Sequence, residues 1–351
     1  MPTRILSFDG AVAAALQIRL VLRYEQAYPG FLANTDVFAG VSNGALMALY
    51  LGQHRTQDHD KNLGVIQDAI DFSNAVIPIF QLRLWKLLRF ATGWLPLHGS
   101  CTYAKTLAKY LDDTPLSQVS SNVLALSFGV KDWKPHIFTN MEPPSPPSPP
   151  SPVYHGDVSI VEAAMASSAA PLALPLNREE TPLGDRILVD GSLAATNPTL
   201  VAIAHTADWL HGGNGGTPIP EELEQLRVMS LGASFSQQAR QRIVDGFVPK
   251  CLAFRDLSWG WIQWLPLRPL LLAQMLYQGQ IDTVDYECRM LLPLQQYLRV
   301  NPAMNQIKSF LGLLLLPERC LIKELDKQAD EIWSDPTFRG GVVTWLESAW
   351  S

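Results

Sequence analysis

Charge is scarce in this chain: 17% of its 351 residues are Asp, Glu, Lys or Arg, against 47% apolar. That balance supports a sizeable core and excludes general disorder, and the length suits one large domain or two ordinary ones. Positive charge is shortest of all. With 27 basic and 33 acidic residues and a net charge of −6, a nucleic-acid-binding surface is not expected. Cysteine is also rare. Cys101, Cys251, Cys288 and Cys320 lie far apart, with no C-x-x-C and no zinc-ligand spacing. They read as buried free thiols in a reducing compartment, and no metal or other cofactor is expected. No stretch of 18 or more residues is both uncharged and predominantly apolar, so no transmembrane helix is expected. The start, MPTRILSFDG, lacks the longer apolar core and cleavage site of a signal peptide. Together these absences predict a cytoplasmic protein, with peripheral contact to a membrane surface still allowed.

What the chain does have is centred on residues 35–52, TDVFAGVSNGALMALYLG. A short apolar run, 37–39, ends at Gly40-Val41-Ser42-Asn43-Gly44, and an apolar, small-residue helix pattern, 45–51, follows at once. That is G-x-S-x-G between a strand and a helix, the setting of a nucleophile elbow. A serine on so sharp a turn needs neighbours without Cβ, here Gly40 and Gly44, because side chains there would collide with the strand or the helix. The turn lifts the hydroxyl toward a helix N-terminus, where backbone N–H groups and the dipole favour negative charge. The plainer reading is a Gly-rich turn whose serine caps a helix.

Around this stretch the pattern alternates. Residues 4–8 read as a buried strand ending at Asp9-Gly10, 13–28 as a helix closed by Pro29-Gly30, and 53–64 as a polar loop. Strand, helix, strand, helix with short connections predicts a parallel sheet covered on both faces. Residues 66–92 read as amphipathic helix. Within 79–90, Arg83, Lys86 and Arg89 recur at helical spacing beside Leu84, Trp85, Leu87 and Leu88. Such a helix suits an anionic membrane surface, and equally a cap packed on the core with snorkelling Arg and Lys. Residues 103–111 read as a further helix, and 122–130 and 136–140 as paired strands.

The one low-complexity segment, EPPSPPSPPSP at 142–152, predicts an extended polyproline excursion. It is suited to an SH3- or WW-type partner, and equally to a surface insertion within one domain. A helix is expected over 158–168, a strand over 186–189, a helix over 199–210, a flexible loop over 212–216 and a strand over 226–231. Residues 236–351 read as mainly helical, over 270–300, 303–316, 317–332 and 337–349, with Trp259, Trp261 and Trp264 clustered near Pro266 and Pro269. No internal repeat is found.

Several marks fall where strands end, at Asp9-Gly10, Ser42, Asp190 and Gly232. In an open parallel sheet that edge is the ligand crevice. A serine there needs a base, and Asp190 in VDGSLAATNP is a carboxylate at a strand end that could reach Ser42 directly. The alternative is a Ser-His-Asp triad, in which histidine follows the acid. His205 and His211 are the only histidines after Asp190, and both fall on or at the end of a helix rather than in a strand-end loop.

The chain resembles the patatin-like phospholipases. SFDG at 7–10, GVSNG at 40–44, ASSAAP at 166–171, VDGSLAATNP at 189–198 and SLGA at 230–233 match in the family's order. The resemblance implies an α/β fold, a three-layer α/β/α sandwich with a mainly parallel sheet. It places the catalytic unit at 1–235, with the Pro-rich insertion, and a mainly helical part packed on the same domain at 236–351. It further implies a Ser–Asp dyad, carried over to Ser42 as nucleophile and Asp190 as base, cleaving carboxylic esters of phospholipid or galactolipid through an acyl-enzyme. The family's D-G-G-G-x-R-G loop supplies backbone N–H groups to the oxyanion. That role falls here to Gly10, Ala11 and Val12. Yet the stretch reads Asp9-Gly10-Ala11-Val12-Ala13-Ala14-Ala15, so two glycines, the arginine and the last glycine are replaced. Positive φ is costly for alanine and more so for β-branched valine. The elbow and dyad therefore predict an enzyme, and the loop predicts weakened or absent turnover. The alternative is a catalytically silent protein of this fold that binds lipid or a protein partner.

Overall fold

The computed structural model describes residues 2–10, 13–81, 95–141, 153–180, 185–212, 220–235, 269–304 and 317–351. The chain begins with β1 (Thr3–Phe8), α1 (Ala13–Ala27), β2 (Val37–Val41), α2 (Asn43–His54) and α3 (His59–Phe80). α4 (Ser100–Tyr110), β3 (Asn122–Gly129), β4 (Pro135–Thr139), β5 (Val153–His155) and α5 (Ile160–Ser167) follow. Next come β6 (Asn177–Glu179), β7 (Arg186–Asp190), α6 (Thr199–Leu210), α7 (Pro220–Gln225), β8 (Leu226–Leu231) and β9 (Ser234–Phe235). The last described elements are α8 (Pro269–Leu291), β10 (Tyr297–Val300), β11 (Ala303–Met304), α9 (Glu318–Ser334) and α10 (Pro336–Ala349).

Successive strand residues point to opposite faces, and here both sets are apolar. Leu6, Phe8 and Phe38 enter a core shared with α1–α5, α9 and α10. Ile5, Val37, Ala39 and Val41 enter a second core with Ala202, Ile203 and Ala207 of α6 and with Cys288 of α8. Two cores on one sheet make three layers. The described sheet runs β10–β8–β1–β2–β3–β4–β5, with β7 also on β3 and β6 on β7. The β10–β8, β8–β1, β1–β2, β2–β3 and β4–β5 pairs are parallel. The sheet is mainly parallel and α/β/α layered.

Several local expectations change. The segment 53–64 is not all loop: Asp58 caps α3, accepting from the N–H groups of Asp60 and Lys61, so the helix starts at His59. It ends at Phe80, with Gln81 extended, so no single helix spans 79–90. By length and composition α3 would suffice to cross a membrane. Its Asn62, Ile66, Ala69, Phe72 and Val76 are buried. The helix expected over 270–300 stops at Leu291, because Pro293 cannot continue it. Residues 297–300 are a strand parallel to β8. Likewise 303–304 pair with 234–235 rather than opening a helix. Cys288 is buried as expected, whereas Cys101 and Cys320 are exposed on their helices. The segments 82–90, 142–152, 213–216, 236–268 (with Trp259, Trp261 and Trp264) and 305–316 lie outside the described residues, as do Ala11 and Val12.

The C-terminal elements close the molecule. Trp350 is fully buried, stacks on Phe31 and donates to its carbonyl at 3.0 Å, while Arg4 reaches the Ser351 carbonyl at 2.6 Å.

Candidate active site

Ser42 stands between β2 and α2 with φ 54° and ψ −129°, a conformation strained for any residue with a Cβ. The elbow glycines have measurable reasons. A Cβ on Gly40 would lie 2.3 Å from the Gly44 carbonyl oxygen, and one on Gly44 2.4 Å from the carbonyl oxygens of Phe8 and Asp9. Either would push the helix off the strand or off the end of β1. Ser42 spends its own N–H on Ser167 Oγ at 3.1 Å, and Ser167 in turn donates to the Leu126 carbonyl at 2.6 Å.

Asp190 arrives from an unexpected direction. β7 runs antiparallel to β3, not along a parallel set. β3 pairs with β2 as far as Val41↔Leu126, and its next residue, Ser127, pairs with Asp190. β2 and β7 therefore share one edge of β3 and meet there with their C-terminal ends. This places Asp190 Oδ2 2.6 Å from Ser42 Oγ. The other carboxylate oxygen accepts from Ser192 N–H at 2.8 Å, and the Asp190 N–H donates to the Ala169 carbonyl at 3.1 Å. Gly191 must be small, since a Cβ there would sit 2.0 Å from the Leu126 carbonyl oxygen. Ser42 is 8% and Asp190 2% exposed. Burial pushes the Asp190 carboxyl above the ordinary carboxylate range, with the Ser42 and Ser192 hydrogen bonds pulling the other way.

Gly10 lies against Ser42: a Cβ on it would meet Ser192 Oγ at 2.9 Å and Ser42 Cβ at 3.3 Å. Its N–H, however, is donated to the Thr196 carbonyl at 3.1 Å. Of the three residues expected to supply oxyanion donors, Gly10 thus has its N–H occupied, while Ala11 and Val12 lie outside the described residues.

The histidines of the triad alternative are engaged elsewhere. His205 Nε2 bonds the Met141 carbonyl at 2.8 Å and its ring stacks on Tyr154. His211 faces Glu222 at 3.1 Å. Sequence reading missed Ser167, Ser168 and Arg299. The ASSAAP stretch holds both dyad candidates: Ser167 at Ser42, Ala169 at Asp190, and Ser168 bonded by Tyr103 at 2.6 Å. Arg299 was hidden by the helical reading of 270–300. The signal that could have found it is the short Tyr297-Leu298-Arg299-Val300 run between Pro293 and Asn301-Pro302. Among the described residues no His, Cys, Asp and Glu cluster is arranged to hold a metal.

The fold and site define an α/β/α protein with a serine elbow opposed by a buried carboxylate. The chain belongs to the patatin-like phospholipase family, whose model matches residues 6–203 and whose members generally hydrolyse esters. It is 28% identical to patatin-like protein 2 of Arabidopsis thaliana over 244 residues, 66% of this chain and 55% of that protein. It is 26% identical to patatin-like protein 1 of the same plant over 285 residues, 74% of this chain and 64% of that protein. It is also 26% identical to the putative sporulation hydrolase CotR of Bacillus subtilis over 255 residues, 70% of this chain and 67% of that protein. The chain thus spans between half and two thirds of the length of these plant relatives. Among solved structures, VipD from Legionella pneumophila aligns over 93% of this chain and 67% of its own with 9% identity and a TM-score of 0.36, a likeness too weak to add to the sheet described above.

Proposed function

We propose that this protein is a lipid acyl hydrolase of the phospholipase A or galactolipase type, with Ser42 as nucleophile and Asp190 as its general base. The observation that carries the reading is the direct contact of 2.6 Å between Ser42 Oγ and Asp190 Oδ2, with no histidine between them. In this reading Asp190 accepts the hydroxyl proton as Ser42 attacks the ester carbonyl. The alcohol leaves with a proton returned through the same carboxyl, and water then attacks the acyl-enzyme with Asp190 again as base. Burial suits Asp190 to this role, because a carboxylate with a raised pKa is a stronger base. The strained Ser42 backbone keeps the hydroxyl out of the sheet, toward the α2 N-terminus.

A lipid ester as substrate is supported by the family and by the rim. Leu172, Leu176 and Leu193 are more than half exposed, and Leu193 follows Asp190 by three residues. A cavity of about 220 Å³ beside the site, not lined by Ser42 or Asp190 themselves, has Ala169, Leu174 and Leu176 on its apolar side and Ser100, Asn177 and Arg178 on its polar side. It begins at the residue whose carbonyl holds the Asp190 N–H. The test is labelling by a fluorophosphonate probe alongside fatty-acid release from phospholipid vesicles. Labelling that disappears in Ser42→Ala, together with release by the parent, is the expected result. Absence of both in folded protein would overturn the reading.

The second reading, a silent lipid- or partner-binding protein of the same fold, is favoured by one observation. The two residues after Gly10 are Ala11 and Val12 instead of glycine. The same probe separates it, since a silent site leaves Ser42 unlabelled.

A further inference from the structure

Asp9, at the end of β1, points away from the dyad and into a buried fork. Arg299 of β10 donates to Asp9 Oδ1 from Nη1 at 2.9 Å and to Oδ2 from Nη2 at 2.5 Å, and its Nη1 also reaches Ser230 Oγ at 2.7 Å. The two side chains are 2% and 1% exposed. Burial works against the Arg299 charge, and the Asp9 carboxylate beside it outweighs that and raises the guanidinium's pKa. The surroundings are shaped for the pair. A Cβ at Gly232 would lie 2.2 Å from Arg299 Nη2 and 2.6 Å from Asp9 Oδ2, so the glycine of the SLGA stretch leaves the space the fork occupies.

Gly10, the next residue, is held from a second C-terminal element. Tyr277 of α8 donates its hydroxyl to the Gly10 carbonyl at 2.8 Å. Thr196, whose carbonyl takes the Gly10 N–H, is itself bonded to α8: its N–H to Gln280 Oε1 and its hydroxyl to the Tyr277 carbonyl, both at 3.2 Å. Arg299, Tyr277 and Gln280 all lie beyond residues 6–203, the part that matches the family model. A buried bidentate pair is costly to assemble and costly to break, so it holds its carboxylate in one place. What it holds here is the residue before Gly10, which itself packs against Ser42. A Cβ on Gly10 would meet Ser42 Cβ at 3.3 Å, so a shift of a few tenths of an ångström at Gly10 is felt at Ser42.

We propose that Arg299 and Tyr277 are positioning residues for the Ser42 site: by clamping Asp9 and Gly10, the segment 269–300 holds Gly10 in place against Ser42. The inference rests on the hydrolase reading above. A positioning role predicts loss in kcat with KM nearly unchanged, because a displaced Gly10 disturbs the placement of the reacting hydroxyl rather than the binding of the ester.

The experiment measures hydrolysis of p-nitrophenyl butyrate by the full chain as parent, Arg299→Lys, Tyr277→Phe and Arg55→Lys. Lysine keeps the charge of Arg299 but not the fork. Arg55, bonded to Ser121 Oγ at 2.7 Å just beyond the end of α2 away from Ser42, receives the same chemical change far from the site. Expected are a fall in kcat of about tenfold or more for Arg299→Lys and of several-fold for Tyr277→Phe, with KM within about twofold. Arg55→Lys should change thermal stability alone. If the parent turns over the ester and both site variants, with parental circular dichroism, keep its kcat, the inference is overturned and the hydrolase reading stands. If Arg299→Lys does not fold, Tyr277→Phe decides: a parental kcat overturns the inference and a several-fold loss supports it. A parent that neither hydrolyses the ester nor reacts with a fluorophosphonate overturns the hydrolase reading, and the inference with it.

Discussion

Ser42 Oγ and Asp190 Oδ2 lie 2.6 Å apart because β2 and β7 end against each other along one edge of β3. The two residues are 148 positions apart in the chain, yet one ladder, Val41↔Leu126 followed by Ser127↔Asp190, fixes their separation. Ser127 tightens the junction by donating its hydroxyl to the Val189 carbonyl at 2.8 Å. A contact built this way relies on backbone pairing, which a side-chain substitution leaves in place.

Asp190→Asn should therefore fold and should lose ester turnover by roughly 10²–10⁴-fold. The amide can still accept from Ser192 N–H but cannot take the Ser42 proton. Burial raises the Asp190 pKa in the folded state, so its contribution to stability is present below the unfolded value and is lost as pH rises through the folded one. Two outcomes follow. The acidic limb of kcat/KM should lie above the ordinary carboxylate range, and Asp190→Asn should melt higher than the parent at pH 7 but not at pH 4. Scanning calorimetry at the two pH values and a pH–rate profile check both. Equal melting shifts at pH 4 and pH 7 would contradict the assigned sign.

His205→Ala distinguishes the dyad from a triad. His205 bonds the Met141 carbonyl and stacks on Tyr154, so its loss should destabilise by about 1–2 kcal/mol. Turnover should stay within about twofold of the parent's. A fall comparable with that of Asp190→Asn would restore histidine to the mechanism.

Gly10 and the two residues after it give a pair of opposed substitutions. Gly10→Ala would place a Cβ 3.3 Å from Ser42 Cβ and 2.9 Å from Ser192 Oγ, so kcat should drop about tenfold or more as the loop is displaced. The double change Ala11→Gly, Val12→Gly should act the other way. It raises kcat more than it changes KM, at a cost in stability of roughly 0.5–1 kcal/mol per site. Steady-state kinetics with melting temperatures reads both. Unchanged or lower turnover in the folded double variant would show that the alanine and valine are not what limits the site.

A histidine pair on β4 and β5 should govern acid stability. Arg186 Nη1 donates to His155 Nδ1 at 2.7 Å, His155 Nε2–H to His136 Nδ1 at 2.8 Å, and His136 Nε2–H to Asp132 at 3.0 Å. The chain is complete only with both rings neutral. Burial pushes His136 down, and burial with the Arg186 charge pushes His155 down to about 3. Folded values below the unfolded one mean stability that is present above about pH 6.5 and lost as pH falls toward the folded values. The parent's melting temperature should decline from pH 7 to pH 4.5, and His155→Gln should melt lower at pH 7 with a flatter decline. Parallel curves would show that the pair does not carry the effect.

The residues alone determined the chemistry of the elbow, because its requirements are local. Gly40 and Gly44 are where a Cβ cannot go, Ser42 stands between strand and helix, and Asp190 with Gly191 ends a strand. The layering was legible for the same reason, since a strand buried on both faces and a helix buried on one leave different periods in the chain. Tertiary structure decided what local periodicity does not encode. That β7 runs antiparallel and brings Asp190 end-on to Ser42 depends on which edge of β3 remained open after β2 stopped at Val41. That Asp9 meets Arg299, 290 positions away, depends on two parallel ladders in succession, β1 on β8 and β8 on β10. Such ladders are set by which apolar faces can be buried together across the whole sheet. A four-residue strand such as β10 is stabilised by its neighbour rather than by its own sequence, so its arginine acquires a partner only once the sheet has formed.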